Sequence, residues 1–206
     1  MHIGRPARRF ANGLLALMMV SGSATLAMAQ GHDDHMMAGA AAHKPTRQEN
    51  EVVRTVRAAT EKFKDVTNVA GPGPDYALVF GCVSGGDFGA MGLHYLKGSI
   101  LHDGEIDKYD PEIILFEPTR DGGIRITGAD YIVFVSEWEA NHKGEGPPSI
   151  DGQLFHFFDA PNRFGLDPFY TLHVWAWQEN PVGTFANWNP NVSCDAFNPP
   201  PVPPAR

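Results

Sequence analysis

The pattern of apolar and polar positions changes period once along this chain. From Arg47 the apolar residues Val52, Val56, Ala59, Phe63 and Val66 recur at helical spacing, and Glu49, Arg54, Arg57, Lys62 and Lys64 fill the rest of the wheel. Thr46, with Glu49 three residues later, has the spacing of a capping box and predicts the helix start. Gly71-Pro72-Gly73-Pro74 cannot continue a helix and predicts its end. Beyond that break the period falls to two. Short apolar runs at Tyr76 to Val83, Met91 to Leu96, Glu112 to Glu117 and Ile124 to Thr127 predict strands. Asp130 to Trp138, rich in β-branched and aromatic residues, predicts the strongest one. Leu154 to Phe158 and Phe169 to Gln178 complete the set.

Turn chemistry separates these runs. Ser84-Gly85-Gly86-Asp87-Phe88-Gly89 is a glycine-rich loop, and Asp121-Gly122-Gly123 is a hairpin signal. The last run alternates, with Leu172, Val174 and Ala176 on one side and His173, Trp175 and Trp177 on the other. It then enters Asn180-Pro181 and Asn189-Pro190, which stop a strand. One amphipathic helix must lay its apolar stripe on something. The predicted fold is therefore α+β: an amino-terminal amphipathic helix on a mainly antiparallel, curved sheet or barrel, forming one domain over residues 47–194.

The two ends read differently. Arg5, Arg8 and Arg9, the apolar run Leu14 to Val20 and the small-x-small step Ala27-Met28-Ala29 predict a secretory signal over residues 1–29. The run is too short to cross a bilayer, so no membrane anchor is expected after cleavage. Residues 30–46 lack periodicity and read as a disordered leader rich in His and Met. Residues 195–206 form a Pro-rich tail. The expected address is the periplasm or the outside of the cell. Losing the signal removes three positive charges and no acids, taking the net charge from −8 to −11. Such a chain is repelled by phosphate backbones and carries no basic cluster, which excludes nucleic acid as a partner.

Cys82 and Cys194 are the only cysteines. In an oxidising compartment they are expected to pair. The bridge would be worth about 4–5 kcal/mol in the chain-entropy description, whose mechanism is disputed.

Candidate chemistry rests on histidines. In the β region, His94, His156 and His173 fall inside predicted strands and His102 outside them. A buried imidazole needs a partner, and strand positions are rigid enough to share one metal ion. Asp130 and Glu137 lie near the ends of the strongest predicted strand, on opposite faces by parity. The metal reading takes His94 and His173 as its firmest members, completed by His156 or Asp130. Imidazole and carboxylate donors suit Zn, Cu or non-haem Fe. The same histidines also satisfy a plainer reading, as hydrogen-bonded members of a polar pocket or interface.

The leader carries a separate metal argument. Cleavage after Ala29 would start the chain Gln30-Gly31-His32, whose four nitrogens suit Cu(II) or Ni(II), with His35 and His43 nearby. Residues 155–197 hold half of the 22 aromatic residues, enough for a core or a lined cavity. Trp175 and Trp177 are expected to wall a site beside His173, with Tyr95 as a further ligand-binding residue next to His94. These indoles, with Trp188, also fit an aromatic-lined module for carbohydrates or other organic ligands. The glycine-rich loop lacks the Gly-Lys-Ser/Thr ending of a phosphate loop, and a tight turn is its simpler reading. No Gly-x-Ser-x-Gly elbow supports a serine nucleophile.

Met91-Gly92-x-His94-Tyr95, the Asp130-Tyr131 strand, Leu172-His173-Val174-Trp175 and Asn180-Pro181-x-Gly183-x-Phe185 with Asn189-Pro190-x-Val192-x-Cys194 form a string of motifs. Over about Phe63 to Cys194 the chain resembles a set of uncharacterised exported bacterial proteins that share it. The resemblance implies that His94 and His173 belong to one architecture, and it brings no activity. A cupin-like barrel is similar in its glycine-rich strands and scattered histidines but departs in lacking clustered ligands. Two function classes stay open: a binding protein for a metal ion or small molecule, and a metal-dependent enzyme built on the same residues.

Overall fold

The computed structural model describes residues 43–70, 73 and 75–198. The expected signal, and His32 and His35 of the leader, lie outside these residues. Helix α1 spans Arg47–Thr60. The Thr46 hydroxyl accepts from the Glu49 amide, and the Glu49 carboxylate accepts from the Thr46 amide, which completes the capping box. Val52 and Val56 are fully buried on its inner face. The helical spacing expected through Val66 breaks at Thr60, where the chain tightens into a 3-10 turn over Glu61–Lys64. A one-turn helix, α2, follows at Thr67–Ala70. Asp65 accepts from the Thr67 amide and hydroxyl, an Asx turn that competes with a continuous helix.

Six antiparallel strands form the main sheet: β1 (Tyr76–Ser84), β2 (Ala90–Lys97), β3 (Ile113–Pro118), β4 (Ile124–Phe134), β7 (His156–Phe158) and β8 (Phe169–Val174). Their order is β1-β2-β3-β4-β8-β7, and β5 (Ser149–Ile150) pairs with β6 (Gln153–Leu154) in a separate small hairpin. The sheet is open, not a barrel, with β1 and β7 at its edges. Register shifts between Val79 and Cys82 and between Leu115 and Phe116 mark bulges, which bend a sheet.

Four predicted strands change shape. Ile124 and Asp130 belong to one strand, because Gly128 passes so close to the carbonyl of Val174 that a Cβ there would sit 2.1 Å from its oxygen. That strand stops at Phe134, whose ladder partner Phe169 follows Pro168. Proline ends the ladder, the Val135 amide turns onto the Pro168 carbonyl, and Val135–Asn141 coils into α3. Leu154 and His156 fall into different sheets. The last strand ends at Val174: the Ala176 amide bonds back to the Val174 carbonyl, and the Trp177 and Gln178 amides both reach Thr127.

The two faces of the main sheet carry different cores. Leu93, Ile114, Phe116, Tyr131, Leu172 and Val174 face the helical layer, where Val52, Val56 and Phe63 cover them. Ile113, Leu115, Ile132, Phe134 and Phe169 face the other way, covered by Phe158, Phe164 and Leu166 from β7 and the loop that follows it. His94, Asp130 and His173 share this second face. Cys82 of β1 is bonded to Cys194, tying an edge strand to the chain end across 112 residues. The glycine-rich loop is a packing device: Gly85 lies under the Trp188 ring, and Gly89 lies against the Asn189 carbonyl beside the Ala90–Asn189 bridge.

Candidate metal centre

The register brings the donors together. Asp130 of β4 is paired directly with His173 of β8. His94 of β2 is paired with Leu115 of β3, one pleat along from Ile113, the partner of Asp130. One donor atom from each of His94, Asp130 and His173 lies within 4.8 Å of the other two, and all three side chains are buried. Donors around one ion at 2.0–2.2 Å stand at most about 4.3 Å apart. A small inward turn of these side chains therefore closes the set on an ion.

Two of the three donors are held from behind. His94 places Nδ1 3.2 Å from the Gly92 carbonyl, so a proton on Nδ1 leaves the Nε2 lone pair free. Gly92 has φ +87°, and a Cβ there would meet the Phe116 carbonyl oxygen at 2.3 Å, so glycine is required two residues before His94. Thr171 donates its hydroxyl to Asp130 Oδ1 at 2.5 Å. His173 is different. Its Nδ1 lies 3.4 Å from Asp130 Oδ1 without a hydrogen bond, and both of its ring nitrogens are buried with no partner.

The protonation states follow from burial. Desolvation pushes His94 down to about 4, with His173 beside it acting in the same direction and Asp130 opposing. Desolvation also takes His173 to about 3. Asp130 is raised to about 6 by burial, against the pull of His94 and the Thr171 hydrogen bond. At neutral pH the group is two neutral imidazoles and one carboxylate. That is the state in which all three donate to a metal, and it buries a negative charge that a cation would balance.

In front of the donors is a cavity of about 30 Å³, walled by apolar side chains that include Phe80, Ile132, Phe164, Leu166 and Phe169, with Thr171 as a further polar member. That volume holds an ion and one or two water-sized molecules. Sites for sugars and other organic ligands are about tenfold larger or more.

Other residues singled out from sequence fall elsewhere. His156 shares the face, paired with Thr171, but its Nδ1 is engaged with Asn187 and it is not one of the three converging donors. Tyr95 does not line this site: it follows His94 on the strand, so it points to the helical side, where it packs edge-on against Phe116. Trp175 lies beside His173, with ring centroids 6.2 Å apart, but it does not line the cavity: it packs with Ala90 and Val192, and its indole N–H bonds to the Ala186 carbonyl. Trp177 is not a wall of the cavity. The strand ends before it, and it packs toward the helices, donating to the Thr60 hydroxyl under Lys64 and Arg57. Glu137 sits on α3 rather than on a strand, and holds the exposed His102 at 2.8 Å. His43, grouped with the leader on sequence, is tied to Glu49 at 2.6 Å and through its amide to the Pro181 carbonyl.

Two features were missed in the sequence. Thr171 stands two residues before His173 on the same face, so strand parity alone places it beside the donors. Phe164 and Leu166 of the cavity wall come from residues 159–168, which have no periodic signal. Comparison with protein-family models, with curated proteins and with solved structures finds no match for this chain.

Proposed function

We propose that this chain is an exported metal-binding protein that holds one transition-metal ion between His94, Asp130 and His173. The observation that carries the reading is His173: a 3 % exposed imidazole, with neither ring nitrogen hydrogen-bonded, facing a carboxylate and a second buried imidazole. A buried polar group without a partner costs about 1–3 kcal/mol, and a metal ion is the partner that would use all three groups at once. Two nitrogens and one oxygen suit Zn, Fe(II) or Cu(II). The Cys82–Cys194 disulfide supports the exported address. Among the described residues no helix is long and apolar enough to cross a membrane. On this reading, the exported bacterial proteins whose motifs the chain resembles share the site.

A second reading, a metal-dependent enzyme on the same residues, is favoured by one feature. Three protein donors leave a coordination position open, as catalytic sites do, whereas structural zinc sites close with four. The deciding measurement is elemental analysis of protein purified from its own compartment. About one equivalent of Zn, Fe or Cu per chain is expected, falling below a tenth in His94→Ala and His173→Ala. Folded wild-type protein that carries no metal and takes up none would end the proposal.

A further inference from the structure

We propose that the ion at this site accepts an external ligand of only two or three heavy atoms, and that Phe164 sets this limit. The inference rests on the metal reading and names what the open position can take. Three donors come from the sheet, so the remaining coordination directions point into the cavity of about 30 Å³. Apart from the donors and Thr171, that chamber is apolar, so it offers little to hold a polar organic molecule by hydrogen bonds. Its volume admits one small ligand after the ion and excludes any ring.

Charge narrows the class further. A divalent ion with one carboxylate and two neutral imidazoles keeps one net positive charge in an apolar chamber. A small monoanion cancels that charge, and one that binds end-on needs no hydrogen bonds from the wall. Azide, cyanide and superoxide share this chemistry.

The outer wall is a specific pair. Phe80 lines the cavity yet is 52 % exposed, so one side of its ring meets solvent and the other meets the site. Phe164 packs against it, with centroids 5.3 Å apart, and also against Phe169 at 6.5 Å. The neighbouring Arg163 donates to the Ser84 carbonyl at 3.3 Å, which fixes the loop carrying Phe164 onto β1. The Phe80–Phe164 pair therefore bridges the β1 edge and the loop after β7, over the mouth that the open sheet leaves.

The test uses the full chain loaded with Co(II), whose visible absorption reports its ligands, titrated with azide and with imidazole. In wild type, azide should shift the spectrum to saturation, and imidazole should leave it unchanged at 100-fold higher concentration. Phe164→Ala should admit imidazole with at least a tenfold gain in affinity while still holding one cobalt per chain. Phe80→Ala, a change at an exposed ring, is the second variant and should move the same way if Phe164→Ala does not fold. Imidazole entering wild type as readily as the variants overturns the size limit, and azide leaving every spectrum unchanged overturns the open position; either result leaves the metal reading standing. Failure to bind cobalt overturns the metal reading, and this inference with it.

Discussion

His94 and His173 meet edge to face with ring centroids 5.7 Å apart, although β3 and β4 lie between their strands. Neighbouring strands are about 4.8 Å apart, so three steps across a flat sheet would separate the two backbones by about 14 Å. The bend of the sheet at its bulges and the lean of the two side chains toward each other together close that gap. The site thus depends on curvature, and residues that permit the bend matter as much as those that donate.

Gly128 is one such residue. It lies two residues before Asp130, and its Cα faces the carbonyl of Val174, the neighbour of His173. Gly128→Ala would put a methyl group 2.1 Å from that oxygen, so β4 and β8 would have to part. The expected result is a loss of about 1–3 kcal/mol in urea unfolding, with metal affinity falling more than tenfold. Unchanged affinity in a destabilised variant would show that the β4–β8 spacing does not set the donor geometry.

Replacing His173 separates stability from binding. In the metal-free protein its two ring nitrogens are buried and unpaired, so His173→Phe removes that cost and keeps a ring of similar shape. The apo variant should unfold about 1–3 kcal/mol later than apo wild type, while its metal content falls to background. Thermal unfolding with chelator and with metal reads both effects. A variant less stable than apo wild type would mean that the imidazole is a satisfied part of the core.

Much of this was open to reading along the chain. Period two puts His94, Asp130 and His173 on strands, and the alternation of β4 places Asp130 on the face of Ile132 and Phe134. Parity also fails where strands end. Trp177 belongs to the His173 face only while the chain stays extended, and it turns at Ala176 because Val174 and Thr127 accept the next amides. The partner of a strand is non-local information, so nothing in Asp130 alone names His173. The apolar wall was illegible because Phe164 and Leu166 lie in irregular chain, where composition carries no direction.

The disulfide makes an independent prediction. Cys194→Ser should cost about 4–5 kcal/mol in the chain-entropy description, given a closed loop of 112 residues. The bond lies on β1, outside the donor strands β2, β4 and β8, so metal stoichiometry in the folded fraction should hold. Equilibrium denaturation with and without reductant measures the first effect, and elemental analysis the second. A reduced protein as stable as the oxidised one would contradict the first.

Glu112 supplies the pH dependence. It is 2 % exposed, and its Oε2 accepts from the Ile132 amide at 3.2 Å. Burial raises it from its ordinary value to about 8, against the help of backbone amides, with Asp130 and Asp103 adding repulsion. The folded state thus keeps a proton that the unfolded chain releases near pH 4.5. Between those two values the unfolded state binds fewer protons, so this group makes stability fall as pH rises, and its contribution levels off above about 8. Glu112→Gln keeps an acceptor for Ile132 and never ionises. It should stabilise the fold by about 3 kcal/mol at pH 7 and by little at pH 4. Unfolding curves for both proteins at pH 4, 5.5, 7 and 8.5 give the comparison. A difference that stays constant across that range would mean that Glu112 titrates in the fold as it does in the unfolded chain, so that burial does not raise it.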